Sequence, residues 1–227
     1  RRVFLYTTPM FKMPSKRALG WGVVVTLALL CAGIWYLAFA QARHHGLIVA
    51  VRDVGQGDSI YIESPTGVEV LIDGGPDSSV LRALPRVMSP FDRMLDAVIE
   101  THPDADHIGG LPDVLARYEV GAFIEPGIEK DTVTARALER EIASEKVPRF
   151  VARRGMVLDL GGGVQLQILF PDYDVSHIDQ KKDNDGGIVM HLVYGKTSLL
   201  LMADVSAKIE EHLVALDGES LHSDILK

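Results

Sequence analysis

The sequence predicts an α/β sandwich, on three observations. Short β-favouring runs separated by glycine turns open the polar part of the chain, helical spacing with an amphipathic helix occupies its middle, and alternating strands return towards its end. Strands, then helix, then strands again, with helices to cover the sheet faces, describe that class.

The elements follow in order. Residues 18–40 contain no charged side chain and carry Trp21 near one end and Trp35-Tyr36 near the other. As a helix rising about 1.5 Å per residue, the run is long enough for a hydrocarbon core of roughly 30 Å, with its aromatics near the interfaces. Arg1, Arg2, Lys12, Lys16 and Arg17 precede it, and only Arg43 is a nearby strong base beyond it. The positive-inside bias therefore predicts a basic cytoplasmic segment at 1–17, a single transmembrane anchor at 18–40, a linker at 41–46, and a domain at 47–227 on the extracytoplasmic side. A signal peptide is the alternative, since Ala38-Phe39-Ala40 fits a small-x-small cleavage site.

Leu47–Val51, Ser59–Ile62 and Val68–Ile72 are three short strands with tight links, an antiparallel start to a sheet. Val80, Leu81, Leu84 and Val87 repeat at helical spacing, and Ala97-Val98-Ile99 is a strand with a helix following at 111–118. Ala122-Phe123-Ile124 is the next strand, and Thr134–Lys146 reads as an amphipathic, solvated helix. Val164–Phe170 alternates as a half-buried strand does, 171–187 reads as a loop, Ile188–Tyr194 and Thr197–Met202 form a hairpin, and Ala207–Leu216 is a helix.

The chain has 227 residues, 47% of them hydrophobic, and a formal net charge of -8, so it lacks the global basic footprint of most nucleic-acid binders. Bound ions can still attract a phosphodiester locally. The single cysteine, Cys31, lies in the apolar segment, which leaves His, Asp and Glu to hold any metal.

Four such groups crowd six positions in Thr101-His102-Pro103-Asp104-Ala105-Asp106-His107, directly after an apolar strand and before Gly109-Gly110. An isolated Asp-Ala-Asp serves as a helix N-cap, but two His and two Asp so placed point to a metal site. By spacing, His102 and Asp104 face one ion, and Asp106 and His107 turn towards a second.

This stretch resembles the hallmark loop of the metallo-β-lactamase superfamily. Asp53-Val54-Gly55-Gln56-Gly57-Asp58, Leu71-Ile72-Asp73-Gly74-Gly75 and Leu199-Leu200-Leu201-Met202-Ala203-Asp204 further resemble the hydrolase domain of ComEC-type DNA-uptake competence proteins. The resemblance runs from about Leu47 to Lys227 and implies an αββα sandwich. It places His102 and Asp104 on a first metal, Asp106 and His107 on a second, and Asp204 between them, with Asp106 and Asp204 catalytic. It also implies that Asp73 and Asp58 support the ligands from behind. Where the superfamily carries a third histidine motif, this chain reads Asp183-Asn184-Asp185-Gly186-Gly187, making Asn184 a candidate polar contributor. A final His-His-Gly-Ser run is expected after Lys227, so the sandwich is expected to be truncated at its C-terminus.

The resemblance implies two divalent ions, zinc by default, and the carboxylate-rich donor set makes manganese the alternative. It implies a membrane-anchored hydrolase of phosphodiesters, with DNA and other components of an uptake assembly as partners. Hydrolysis of a small ester, thioester or lactam, or a non-catalytic role in an uptake assembly, are the alternatives.

Overall fold

The computed structural model describes residues 16–41, 46–89, 91–179 and 182–227. The chain divides into two units, residues 1–44 and 45–227, and each is described by itself. Most of the basic segment at 1–17 and all but the ends of the linker at 41–46 lie outside the described residues.

In the first unit, α1 spans Lys16–Gln41, two residues earlier and one later than the uncharged run. Its Gly20–Leu37 stretch has a mean hydropathy of 1.9 and no buried side chain. This helix is long and apolar enough to cross a membrane, a test that a signal sequence also passes.

The second unit begins with β1 (Ile48–Val51), β2 (Ile60–Glu63) and β3 (Glu69–Ile72), each antiparallel to the next as the short links require. Next come α2 (Val80–Ala83), running into a 3-10 turn at Leu84–Arg86, then β4 (Met94–Leu95) and β5 (Ala97–Ile99). Two short helices, α3 (Ala105–Ile108) and α4 (Leu111–Leu115), lead to β6 (Glu119–Val120) and β7 (Phe123–Glu125). The expected helix at 111–118 is thus shorter, and α3 winds up part of the His102–His107 stretch itself.

The amphipathic helix forms as α5 (Val133–Glu145), its N-terminus capped by Thr132 Oγ1, which accepts from the Ala135 N–H at 3.1 Å. It ends where Lys146 turns left-handed at φ 54°, and it buries Ala135, Leu138 and Ile142. Beyond it lie β8 (Arg149–Val151), β9 (Val157–Gly161), β10 (Val164–Phe170), a 3-10 turn at Asp183–Gly186, β11 (Val189–Tyr194), β12 (Thr197–Leu201), α6 (Ala207–Asp217) and β13 (Ile225–Leu226).

One sheet runs β1-β2-β3-β5-β7-β8 and a second β13-β12-β11-β10-β9, with β4 and β6 a small separate pair. From β3 to β8 the neighbours are parallel, because α2 to α5 supply the crossovers that parallel pairing needs. In β10, Val164, Leu166, Ile168 and Phe170 are buried, as its alternation predicts.

Three apolar clusters define four layers. Leu71, Val98 and Phe123 pack with Leu84, Leu111, Leu138 and Ile142 on the helical side of the first sheet. Ile72, Ile99 and Ile124 meet Leu166, Ile168 and Met190 between the sheets. Phe170, Val189 and Leu200 meet Ile209 and Leu213 of α6 on the far side. Each fully buried Leu, Ile or Phe contributes about 1.5–3 kcal/mol. The layering is αββα, and it leaves the C-terminal ends of β3, β5 and β12 to carry the polar residues considered next.

Candidate metal centre

Asp73 follows β3, Thr101-His102 follow β5, and Ala203-Asp204 follow β12, so both sheets deliver residues to one site. The parallel pairing of β3 with β5 sets the first two side by side, and the Asp73 N–H donates to the Ile99 carbonyl at 2.9 Å. Asp73 and Ala203 both have left-handed backbones, φ 57° and 49°. An aspartate tolerates that region, whereas an alanine there stores strain of the kind concentrated at functional sites.

Asp73 organises the inner shell. Its Oδ1 accepts from the Thr101 N–H at 2.8 Å, and its Oδ2 accepts from Thr101 Oγ1 at 2.6 Å and from His107 Nδ1 at 2.8 Å. Having spent its proton on Asp73, the Thr101 hydroxyl accepts from His102 Nδ1 at 3.1 Å. Nδ1 of each imidazole is thereby held as a donor, which turns Nε2 of both rings into the site.

Those two Nε2 atoms are buried and have no hydrogen-bond partner among the described residues. An orphaned buried polar atom costs about 1–3 kcal/mol, which a fold sustains where the atom has another use. The rings lie 4.1 Å apart between centroids, and His107 Nε2 faces Asp204 Oδ2 at 3.5 Å. One ligand atom each from His102, His107 and Asp204 fall within 4.8 Å of one another. Two imidazole nitrogens and a carboxylate oxygen fit a borderline divalent ion such as zinc or manganese.

The electrostatics agree. Burial works against a charged imidazole at His107, but the hydrogen bond and charge of Asp73, with Asp204 and Asp58 behind, carry its pKa up to about 9. At His102 burial and the neighbouring His107 push the pKa down. The pocket thus favours positive charge at His107, whether a proton on Nε2 or a cation in its place, and an unprotonated donor at His102.

The remaining expected site residues are placed differently. Asp104, 31% exposed, forms an ion pair with Lys130, and its Oδ2 lies 3.5 Å from His102 Nε2. Burial would raise the Asp104 pKa, but Lys130 holds it below the usual carboxylate value. Asp106 is half-buried and accepts from Gln56 Nε2 at 3.3 Å. Asp58 pairs with Lys227 Nζ at 2.6 and 2.8 Å. Asn184 is half-buried in the 3-10 turn, with its carbonyl accepting from Gly187, while its neighbour Asp183 is the buried residue and also pairs with Lys130. His177 is exposed and His191 is half-buried on β11, against Ser223, outside the cluster. Lys130 carries no local sequence signal, and Thr101 is marked only by standing beside His102.

Residues 52–225 match the family described as Metallo-beta-lactamase superfamily. Among curated proteins, the chain is 27% identical over 252 aligned residues to ComE operon protein 3 of Bacillus subtilis (strain 168), covering 99% of this chain and 31% of the relative. It is 26% identical over 208 residues to Competence protein ComA of Neisseria gonorrhoeae, covering 91% of this chain and 27% of the relative. The chain therefore spans less than a third of the length of these relatives. Among solved structures, the metallo-beta-lactamase fold protein YhfI from Bacillus subtilis aligns at 18% identity and a TM-score of 0.42, covering 70% of this chain and 60% of that one. With its family match spanning most of the sequence, an αββα sandwich and a His-rich loop at the ends of its strands, the chain belongs to the metallo-beta-lactamase superfamily.

Proposed function

We propose that this chain is a membrane-anchored, metal-dependent hydrolase of phosphodiesters, with DNA as its substrate class and DNA uptake as its setting. One observation carries the hydrolase reading: two buried histidines, each fixed through Nδ1, aim Nε2 atoms that are unpartnered among the described residues at the same place as Asp204. His102, His107 and Asp204 would hold a divalent ion, which when bound would supply a hydroxide at neutral pH and polarise a phosphoryl oxygen. The chain's own part is to orient the donors: Asp73 holds His107, Thr101 holds His102, and the left-handed Ala203 turns Asp204 towards them. Asp204, 49% exposed, is the member open to substrate.

The uptake setting rests on the two curated relatives, both named for competence. The anchor rests on α1 and the basic residues before it, which favour a cytoplasmic N-terminus and an extracytoplasmic domain.

Incubating the full chain with single- and double-stranded DNA and manganese or zinc tests this. Cleavage that His107→Ala abolishes is the expected result. Inert DNA with turnover of a small ester, thioester or lactam would replace the substrate class, and full metal occupancy without any turnover would leave a non-catalytic module of an uptake assembly.

A further inference from the structure

The superfamily pattern divides its ligands between two ions, with His102 and Asp104 on the first. The described residues assemble otherwise. Among them, one group of three candidate ligands converges, and it draws His102 to His107 and Asp204. Asp104 instead belongs to a second cluster, in which the Lys130 ammonium bridges Asp104 Oδ1 and Asp183 Oδ2.

That cluster is built to enclose a cation. The Asp183 side chain is 6% exposed and that of Lys130 14%, so the Asp183 charge has to be balanced locally. Lys130 reaches it from the loop between β7 and α5, and Asp183 sits in the 3-10 turn before β11, so three separate segments converge on one ammonium. An ammonium has three donors and no acceptor, which suits a position between two carboxylates. A divalent ion on the same oxygens would require Lys130 to leave. The position adjoins the converging donors, because Asp104 Oδ2 lies 3.5 Å from His102 Nε2. With that neighbouring position filled by the chain itself, His102 is free to serve the ion that His107 and Asp204 also face.

We infer that this chain binds a single divalent ion, at His102, His107 and Asp204, and that the Lys130 ammonium, bridging Asp104 and Asp183, takes the place of a second. The inference rests on the metal-dependent reading above. It makes the centre a hybrid: one exchangeable cation beside one that is covalently part of the protein and cannot be removed by a chelator. An anionic substrate entering the site would meet both charges.

Counting bound ions, without any substrate, tests this. The full chain is dialysed against manganese, the metal content is measured by mass spectrometry, and the bound manganese is examined by electron paramagnetic resonance. We expect one manganese per chain with the six-line spectrum of an isolated ion. Asp104→Asn is expected to keep that count, and Lys130→Ala to raise it to two with an exchange-coupled spectrum. Two ions in the unaltered chain, or a count that Asp104→Asn lowers, would overturn the inference while leaving a metal-dependent hydrolase intact. A folded Lys130→Ala that still binds one would overturn the role given to the lysine. If that variant does not fold, the counts for the unaltered chain and Asp104→Asn decide the matter. A chain that binds no manganese and no zinc would overturn the metal reading itself.

Discussion

Asp73 Oδ2 and His107 Nδ1 meet at 2.8 Å with both side chains 1% exposed, and Asp73 also takes both donors of Thr101, its N–H and its hydroxyl. One carboxylate therefore fixes one histidine directly and the other through a threonine. Outer partners of this kind set the tautomer and basicity of a ligand, and losing one weakens metal affinity by about ten- to a hundredfold. Asp73→Asn keeps the shape but presents an amide where one oxygen accepted two hydrogens. Zinc affinity measured by chelator competition is expected to fall by about that factor, and an unchanged affinity would remove Asp73 from the site.

Gly57 fixes the approach of the loop before β2 to α3. Its φ is +77°, and a Cβ there would lie 1.8 Å from the carbonyl oxygen of Asp106. Gly55 has a similar φ, +89°, but open space around it. Gly55→Ala thus meets only the left-handed penalty of about 1–2 kcal/mol, whereas Gly57→Ala adds a backbone clash. Thermal unfolding is expected to show a loss of several degrees for Gly55→Ala and a distinctly larger one for Gly57→Ala. Equal losses would mean that the Asp106 backbone yields freely.

Glu69 makes stability depend on pH away from the site. It begins β3 with a buried side chain, and its Oε2 has no hydrogen-bond partner among the described residues. Burial, with Asp92, Glu63 and Asp96 adding to it and Tyr61 opposing, pushes its pKa from 4.5 to about 7. Between those values the folded chain holds a proton that the unfolded chain has released. The stability Glu69 contributes is therefore complete below about pH 4.5 and lost as pH rises through about 7. At about 1.4 kcal/mol per pH unit between those values the loss is on the order of 3–4 kcal/mol. Denaturant midpoints at pH 5 and pH 8 should differ less for Glu69→Gln than for the unaltered chain, and parallel profiles would contradict this.

What the sequence revealed, and what it did not, follows from how far each signal reaches along the chain. The strand β10 was legible because Val164, Leu166, Ile168 and Phe170 alternate with neighbours that the fold leaves less buried. The crowding of His102, Asp104, Asp106 and His107 was legible for the same reason, being local. The partition of these four was not. Alternate positions share a side only in an extended chain, and α3 winds Ala105–Ile108 into a turn that brings His107 back beside His102. Lys130 lies 26 residues from Asp104 and 53 from Asp183, and nothing near it in sequence marks it. Its place is set by the crossover from β7 to α5, a property of the sheet order. Asp183 shows the same limit from the other side, since Asn184 was the residue singled out beside it and burial chose the aspartate.

Hydrolysis, on the function proposed above, depends on an ion held by His102, His107 and Asp204. Anomalous diffraction at the zinc edge, from crystals of the full chain grown with zinc, tests it most directly. We expect the strongest peak at about 2.0–2.1 Å from Nε2 of both His102 and His107, with an Asp204 oxygen completing the contact. A strongest peak between Asp104 and Asp183 with Lys130 displaced, or none at the two histidines, would contradict it.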